Sequence, residues 1–179
     1  MTPTINLILS VLTALTQATL ALAVVASVLD FKRMRNLAGK YLTPKTAIRV
    51  AFVVALVSMC GSLYYSEFAG FVPCDLCWFQ RIFMYPSAVI LGIALLKHEE
   101  TIIDYVLGLA GIGLLFSLYH NSIIYSTTES GFCSFKSVSC TTKVVLGLGY
   151  VTIPLMALTA FLAIIAVLLT GKLVTKSAK

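Results

Sequence analysis

The chain has 179 residues, 59% hydrophobic and only 11% charged, with a mean hydropathy of +0.98 and a net charge of +6. That is too apolar for a soluble domain, and too short for a membrane domain carrying a soluble one as well. The basic residues sit in short stretches between apolar runs, so they set topology rather than bind nucleic acid, and no nucleic-acid partner is expected.

Five apolar runs each reach the roughly 20 residues that a helix needs to cross a bilayer core. They are Ile5–Leu29, Ala47–Phe68, Trp78–Leu96, Ile102–Tyr125 and Val144–Leu169. None alternates like a barrel strand, and a helix satisfies its own backbone polar groups in lipid. The expected fold is all-α, a polytopic membrane protein. Its core is a four-helix transmembrane bundle over 47–171, preceded by an additional transmembrane helix and a basic cytoplasmic loop over 1–46. A cytoplasmic tail follows over 172–179. The first run is expected to stay as a membrane helix although Ala21-Leu22-Ala23 resembles a signal-peptidase site. No Lys or Arg precedes it, and the charges Lys32, Arg33 and Arg35 follow it.

Charge assigns the sides. Ten of the thirteen basic residues fall in the loop after the first run, in Lys97-His98-Glu99-Glu100, and in the tail. These segments are therefore expected inside the cell. The outer loops hold only Lys136 and Lys143, with Arg81 just within a helix. The expected localisation is the plasma membrane, multi-pass, with the N-terminus outside and the C-terminus in the cytoplasm. Cys74, Cys77, Cys133 and Cys140 then all lie on the outer face, where disulfides persist. Cys60 falls in the second span beside Gly61 and reads as a small packing residue.

Cys74-Asp75-Leu76-Cys77 opens a hydrophobic segment, and Arg81 follows one turn later. Helix N-terminal amides and a nearby cation both favour a thiolate, so this stretch reads as a redox centre at a membrane surface. Four outer cysteines permit three pairings, and Cys74–Cys77 with Cys133–Cys140 is the simplest because each pair is local. Arg81 projects from the face of Cys77 about 6 Å deeper. It reads either as an interfacial arginine snorkelling to headgroups or as part of a site. Gln80 is adjacent, and His120 lies at a similar depth in the fourth span. The three together could bind the carbonyl oxygens of a membrane-soluble ligand; His120 alone reads equally well as structural. Glu67 could pair with Arg81, but reads better as a solvated helix-end residue. Tyr64, Tyr65, Trp78, Tyr119 and Tyr125 read mostly as an aromatic belt. Pro86 and Pro154 are expected to kink their spans. Zinc is the rival use of four sulfurs, but the six-residue spacer between Cys133 and Cys140 is wide for it. No metal is expected.

The run from Pro73 through Cys74-Asp75-Leu76-Cys77-Trp78-Phe79-Gln80-Arg81 to Pro86 resembles the DsbB/BdbC family of bacterial disulfide-bond formation proteins. The resemblance continues through Tyr119-His120, Cys133, Cys140 and Gly149-Tyr150-Val151-Thr152-Ile153-Pro154, covering roughly Ala47 to Leu169. It implies an enzyme, a dithiol:quinone oxidoreductase. Such an enzyme reoxidises a thioredoxin-like extracytoplasmic oxidase of DsbA/BdbD type and passes electrons to ubiquinone or menaquinone. By position, it implies that Cys77 adjoins the quinone and Cys74 is its exchange partner. Arg81 would support quinone and thiolate, and His120 would lie near the ring. Cys133 would form the mixed disulfide with the partner, and Cys140 would be its mate. Two features depart from the best-known members: the Cys133–Cys140 loop is short, as in the BdbC-like branch, and the first span is extra. The alternatives are a non-catalytic membrane scaffold with structural disulfides or zinc, and a quinone reductase of the vitamin K epoxide reductase type.

Overall fold

The computed structural model describes residues 2–30, 37, 39, 41–126, 140 and 145–177. Five helices are long and apolar enough to cross a membrane. They are α1 (Thr2–Leu29), α2 (Pro44–Leu63), α3 (Asp75–Lys97), α4 (Ile103–Ser126) and α5 (Ile153–Ser177), and α2 continues into a π-helical turn over Tyr64–Phe68. A two-stranded antiparallel hairpin, β1 (Val145–Gly147) and β2 (Val151–Thr152), precedes α5. The fold is an all-α polytopic bundle with this small hairpin as its one ornament among the described residues.

Sequence-local signals fix several helix ends. At α2, Pro44 occupies the first turn, where its missing N–H costs nothing, and the Thr43 hydroxyl accepts from Thr46 N at 3.3 Å. At α3, Cys74 is the N-cap in extended conformation, with no side-chain capping bond. Its carbonyl accepts the first helical bond from Trp78 N. His98 ends α3 in the left-handed conformation, with φ 55. Pro86 lies inside α3 as expected and leaves the Ile82 carbonyl without its usual helical donor.

The last span starts later than the hydropathy suggests. The apolar run from Val144 was expected to be helical throughout, but Gly149 and Leu148 take positive φ (74 and 53) and turn the chain into the hairpin. Helix α5 begins at Ile153, so Pro154 stands in its first turn and does not kink it. The Thr152 hydroxyl accepts from Leu155 N, and Asn121 of α4 donates to the Pro154 carbonyl at 3.1 Å. At its other end α5 runs on through Lys172 to Ser177. Lys172 pairs there with Asp104 of α4.

The chief helix contacts join α2 to α3, α3 to α4, α4 to α5 and α5 back to α2, which closes a four-membered ring. Small residues bring the backbones together, as lipid-embedded helices require. Ala51, Ala55, Ala88, Ala94 and Ala110 are buried in one core cluster with the fully buried Phe161. A Cβ built on Gly113 would meet the Phe161 ring at 2.4 Å, and one on Gly171 would meet Ala47 Cβ at 2.6 Å. Helix α1 stands outside the ring, packed chiefly on α5 and β1.

Candidate functional site: a dithiol at the rim of an apolar cavity

The ring closes tightly around Ala47 and Gly171 and opens at its other end. There a cavity of about 570 Å³ lies among the helices. Its lining on α3 is Cys77, Gln80, Arg81, Met84 and Tyr85. That is one helical stripe at i, i+3, i+4, i+7 and i+8, so the spacing alone puts these side chains on one face. Cys74, Cys140 and His120 also line it, as do Ser62 and Tyr65.

Cys74 and Cys77 are free thiols whose sulfurs stand 3.2 Å apart, within hydrogen-bond reach of each other. A covalent S–S bond measures about 2.05 Å, so the pair is a poised dithiol. Cys74 sits at the helix N-terminus, where unpaired amides and the helix dipole favour an anion. Its Sγ lies 3.7 Å from His120 Nε2, and Gln80 Nε2 lies 3.4 Å from His120 Nδ1. His120 is 2% exposed and Gln80 5%. The carboxamide therefore fixes the ring edge-on to the sulfur. The Cys74 thiol is held down to about 4, first by its hydrogen bond with Cys77 and then by His120, against burial, which pushes it up. All four ligand candidates named from the sequence, Gln80, Arg81, His120 and Cys77, face the same cavity.

Arg81 does not snorkel freely. Its NH2 nitrogen donates to the Ser62 carbonyl at 3.0 Å, and its guanidinium lies 5.4 Å from the centroid of the Trp78 ring. The Ser62 hydroxyl is itself within 3.4 Å of the Tyr85 hydroxyl. Glu67 makes no pair with Arg81; it is exposed and accepts from the Ser66 hydroxyl.

Two readings are corrected. Tyr65 is not a belt residue: it is 3% exposed and faces the cavity, on the α2 stripe that also carries Val54, Ser58, Gly61 and Ser62. Its hydroxyl has no hydrogen-bond partner. Cys60 is exposed rather than packed in the bundle, whereas its neighbour Gly61 faces Leu9 of α1. The four-sulfur zinc set is not available, since Cys140 is disulfide-bonded. Cys133 lies outside the described residues. Cys140 is buried in one cluster with Cys74, Leu76 and Ile123, so it reaches the first pair.

Sequence reading missed Tyr65, Ser62 and Tyr85. Tyr85 was open to discovery, as the last member of the stripe that begins at Cys77.

A ring of four lipid-spanning helices with a dithiol set over an apolar cavity defines a multi-pass membrane protein of thiol-redox type. The family described as disulfide bond formation protein DsbB matches residues 44–171. Disulfide bond formation protein C of Bacillus subtilis is 43% identical over 119 residues, which is 64% of this chain and 84% of that protein. The SPbeta prophage-derived disulfide bond formation protein B of the same organism is 40% identical over 135 residues, 75% of this chain and 90% of that protein. A probable disulfide formation protein C 1 of Bacillus cereus is 41% identical over 128 residues, 70% of this chain and 91% of that protein. No solved structure matches. The chain belongs to the DsbB family.

Proposed function

We propose that the protein is a membrane thiol:quinone oxidoreductase that reoxidises an extracytoplasmic thioredoxin-like oxidase of DsbA/BdbD type. The electrons pass to a membrane quinone, ubiquinone or menaquinone, in support of disulfide-bond formation. Membership of a family whose members are named for disulfide formation supports the general role. The observation that carries the quinone is the Cys74–Cys77 dithiol at the rim of a cavity lined by Arg81, His120 and Tyr65.

The residues fit such a ligand. A quinone head is flat and apolar with two carbonyl acceptors, and cavities of about 300–1,000 Å³ suit small molecules. The unpartnered, buried Tyr65 hydroxyl is a donor in search of an acceptor. Arg81 keeps further N–H groups beyond the one given to Ser62, and its charge would offset negative charge on a carbonyl oxygen in a low-dielectric place. A bound quinone would supply the acceptor of two electrons and two protons.

The chain's own cysteines would act as a relay. A partner thiolate attacks Cys133 of a Cys133–Cys140 disulfide, and Cys140 leaves as thiolate. The partner's second thiolate releases the partner as a disulfide, leaving Cys133 and Cys140 reduced. Cys140 then attacks Cys74 of the oxidised Cys74–Cys77 pair, and Cys77 leaves as thiolate. Cys133 closes back on Cys140 and frees Cys74. The two electrons then rest on the rim dithiol beside the cavity. Contact of Cys140 with the Cys74 cluster supports this order. We place these residues on the outer face, with the N-terminus outside and the C-terminus inside, on the distribution of basic residues.

Purified protein supplied with a reduced thioredoxin-like protein should reduce added quinone, and Cys77→Ser should abolish it. Folded protein that reduces none overturns the proposal. A second reading rests on one observation: Cys74, Cys77 and His120 offer three ligand atoms within 4.8 Å of one another, enough for a zinc site. Stoichiometric zinc in protein purified without chelator would favour that reading; zinc-free protein with an oxidised Cys74–Cys77 pair in cells favours the oxidase.

A further inference from the structure

Helix α1 precedes the region that the family match covers, yet it reaches the cavity. Leu9, Leu12, Thr13 and Thr16 all line it. Their spacing is again i, i+3, i+4 and i+7, one face of a helix. We propose that α1 is the lipid-side wall of the quinone cavity, and that it determines which quinone heads fit. This rests on the proposed quinone reading.

Three observations carry it. First, α1 lies over the seam between α2 and α5. Leu9 faces Gly61 of α2, and Gln17 Nε2 donates to the Thr159 hydroxyl of α5 at 3.0 Å. Second, its rotation is fixed. Gln17 also accepts from the Tyr150 hydroxyl at 3.1 Å, so one carboxamide joins α1 to both α5 and the hairpin. A carboxamide within a lipid-facing span is costly unless bonded, and both ends of this one are bonded to the bundle. Third, the wall makes no polar demand. The Thr13 and Thr16 hydroxyls donate to the Leu9 and Leu12 carbonyls of α1 itself. The donors of the cavity, Arg81 and Tyr65, stand on other helices, so α1 meets the ring substituents and tail while they meet the carbonyls. Simple anchoring of α1 to the bundle would need the Gln17 bonds but not this face turned inward. The opposite side, with Leu15 and Leu22, is left exposed.

The chain has a single tryptophan, Trp78, beside Arg81, and quinones quench indole fluorescence. Decyl-ubiquinone and menadione would each be titrated into full-length purified protein. Thr13→Leu and Thr16→Leu add bulk to the wall without a new polar group. Each should weaken binding of the quinone that wild type takes by about fivefold or more, and should change the ratio between the two quinones. Leu15→Ala, on the exposed face, should stay within about twofold. A photoreactive azido-quinone on wild-type protein should label the peptide containing residues 9–16. Unchanged affinities in folded variants, or labelling that spares α1, overturn the inference and leave the oxidase reading standing. Wild-type protein that binds neither quinone overturns both.

Discussion

Cys74 concentrates three stabilising influences on one sulfur: the Cys77 thiol, the His120 ring and the start of α3. An ordinary thiol ionises near 8.5, and this one is drawn down to about 4. A lowered value means the thiolate survives as pH falls and is lost only on approach to the lower value. Alkylation of Cys74 by iodoacetamide in reduced protein should therefore stay nearly level from about pH 8 to about pH 5, where an ordinary thiol would slow about tenfold per pH unit. His120→Ala should move the midpoint upward. A wild-type midpoint near that of a free thiol would show that the geometry does not activate Cys74. Tyr65→Phe tests the cavity from its other side. Removing an unsatisfied buried hydroxyl should leave thermal stability unchanged or higher while weakening quinone binding by about fivefold. Equal binding would mean that the hydroxyl meets no carbonyl. The residues of the α3 stripe were legible because helical spacing and the CxxC motif need no tertiary information. Tyr65 was not legible. It follows Val54, Ser58, Gly61 and Ser62 at helical spacing, but a tyrosine at the end of a span suits an interfacial belt equally well, and spacing alone does not say which face is buried.

Among the elements, α4 and α5 are held at a glycine. With the Phe161 ring 2.4 Å from any Cβ at position 113, Gly113→Ala should force a shift costing about 1–3 kcal/mol. Gly108 and Gly111 have nothing within 4 Å of their Cβ positions. Alanine there should be neutral or stabilising, since alanine favours helix over glycine. Thermal unfolding in detergent separates the cases, and equal losses at positions 113 and 108 would show that the helix pair does not meet as described. The start of α5 shows what hydropathy hides. The stretch from Val144 to Ile153 is apolar enough to be span, yet Gly147 and Gly149 make a turn cheap, and Pro154 suits only a helix start. Hydropathy measures partition into lipid and is blind to backbone dihedrals. The five-span count was legible for the converse reason: each helix must carry enough apolar surface to cross the bilayer whatever its neighbours are.

At the scale of the whole molecule, the ring of α2 to α5 is splayed at one end and drawn shut at the other. The splayed end carries Cys74, Cys77 and Cys140. The shut end lies near Ala47, Gly171 and the Lys172–Asp104 pair, with Lys45 in the first turn of α2 and Lys97 in the last turn of α3. Packing and charge thus define the same two sides. A fluorescent protein fused after residue 179 should fluoresce in the cytoplasm, and alkaline phosphatase fused there should be inactive; the reverse pattern would invert the assigned orientation. Where α1 would sit was only partly legible: the helix is apolar on most sides, and the polar stripe Asn6, Ser10, Thr13 and Gln17 marks a preferred face without naming the helix it meets.

The decisive test is a single turnover. Protein carrying Cys133→Ser and Cys140→Ser, reduced and freed of reductant, would be mixed without oxygen with one equivalent of decyl-ubiquinone or menadione. If the rim dithiol hands its electrons to a ligand in the cavity, one quinol should appear for each Cys74–Cys77 disulfide found by mass spectrometry. Folded protein that keeps both thiols while both quinones remain oxidised would contradict it.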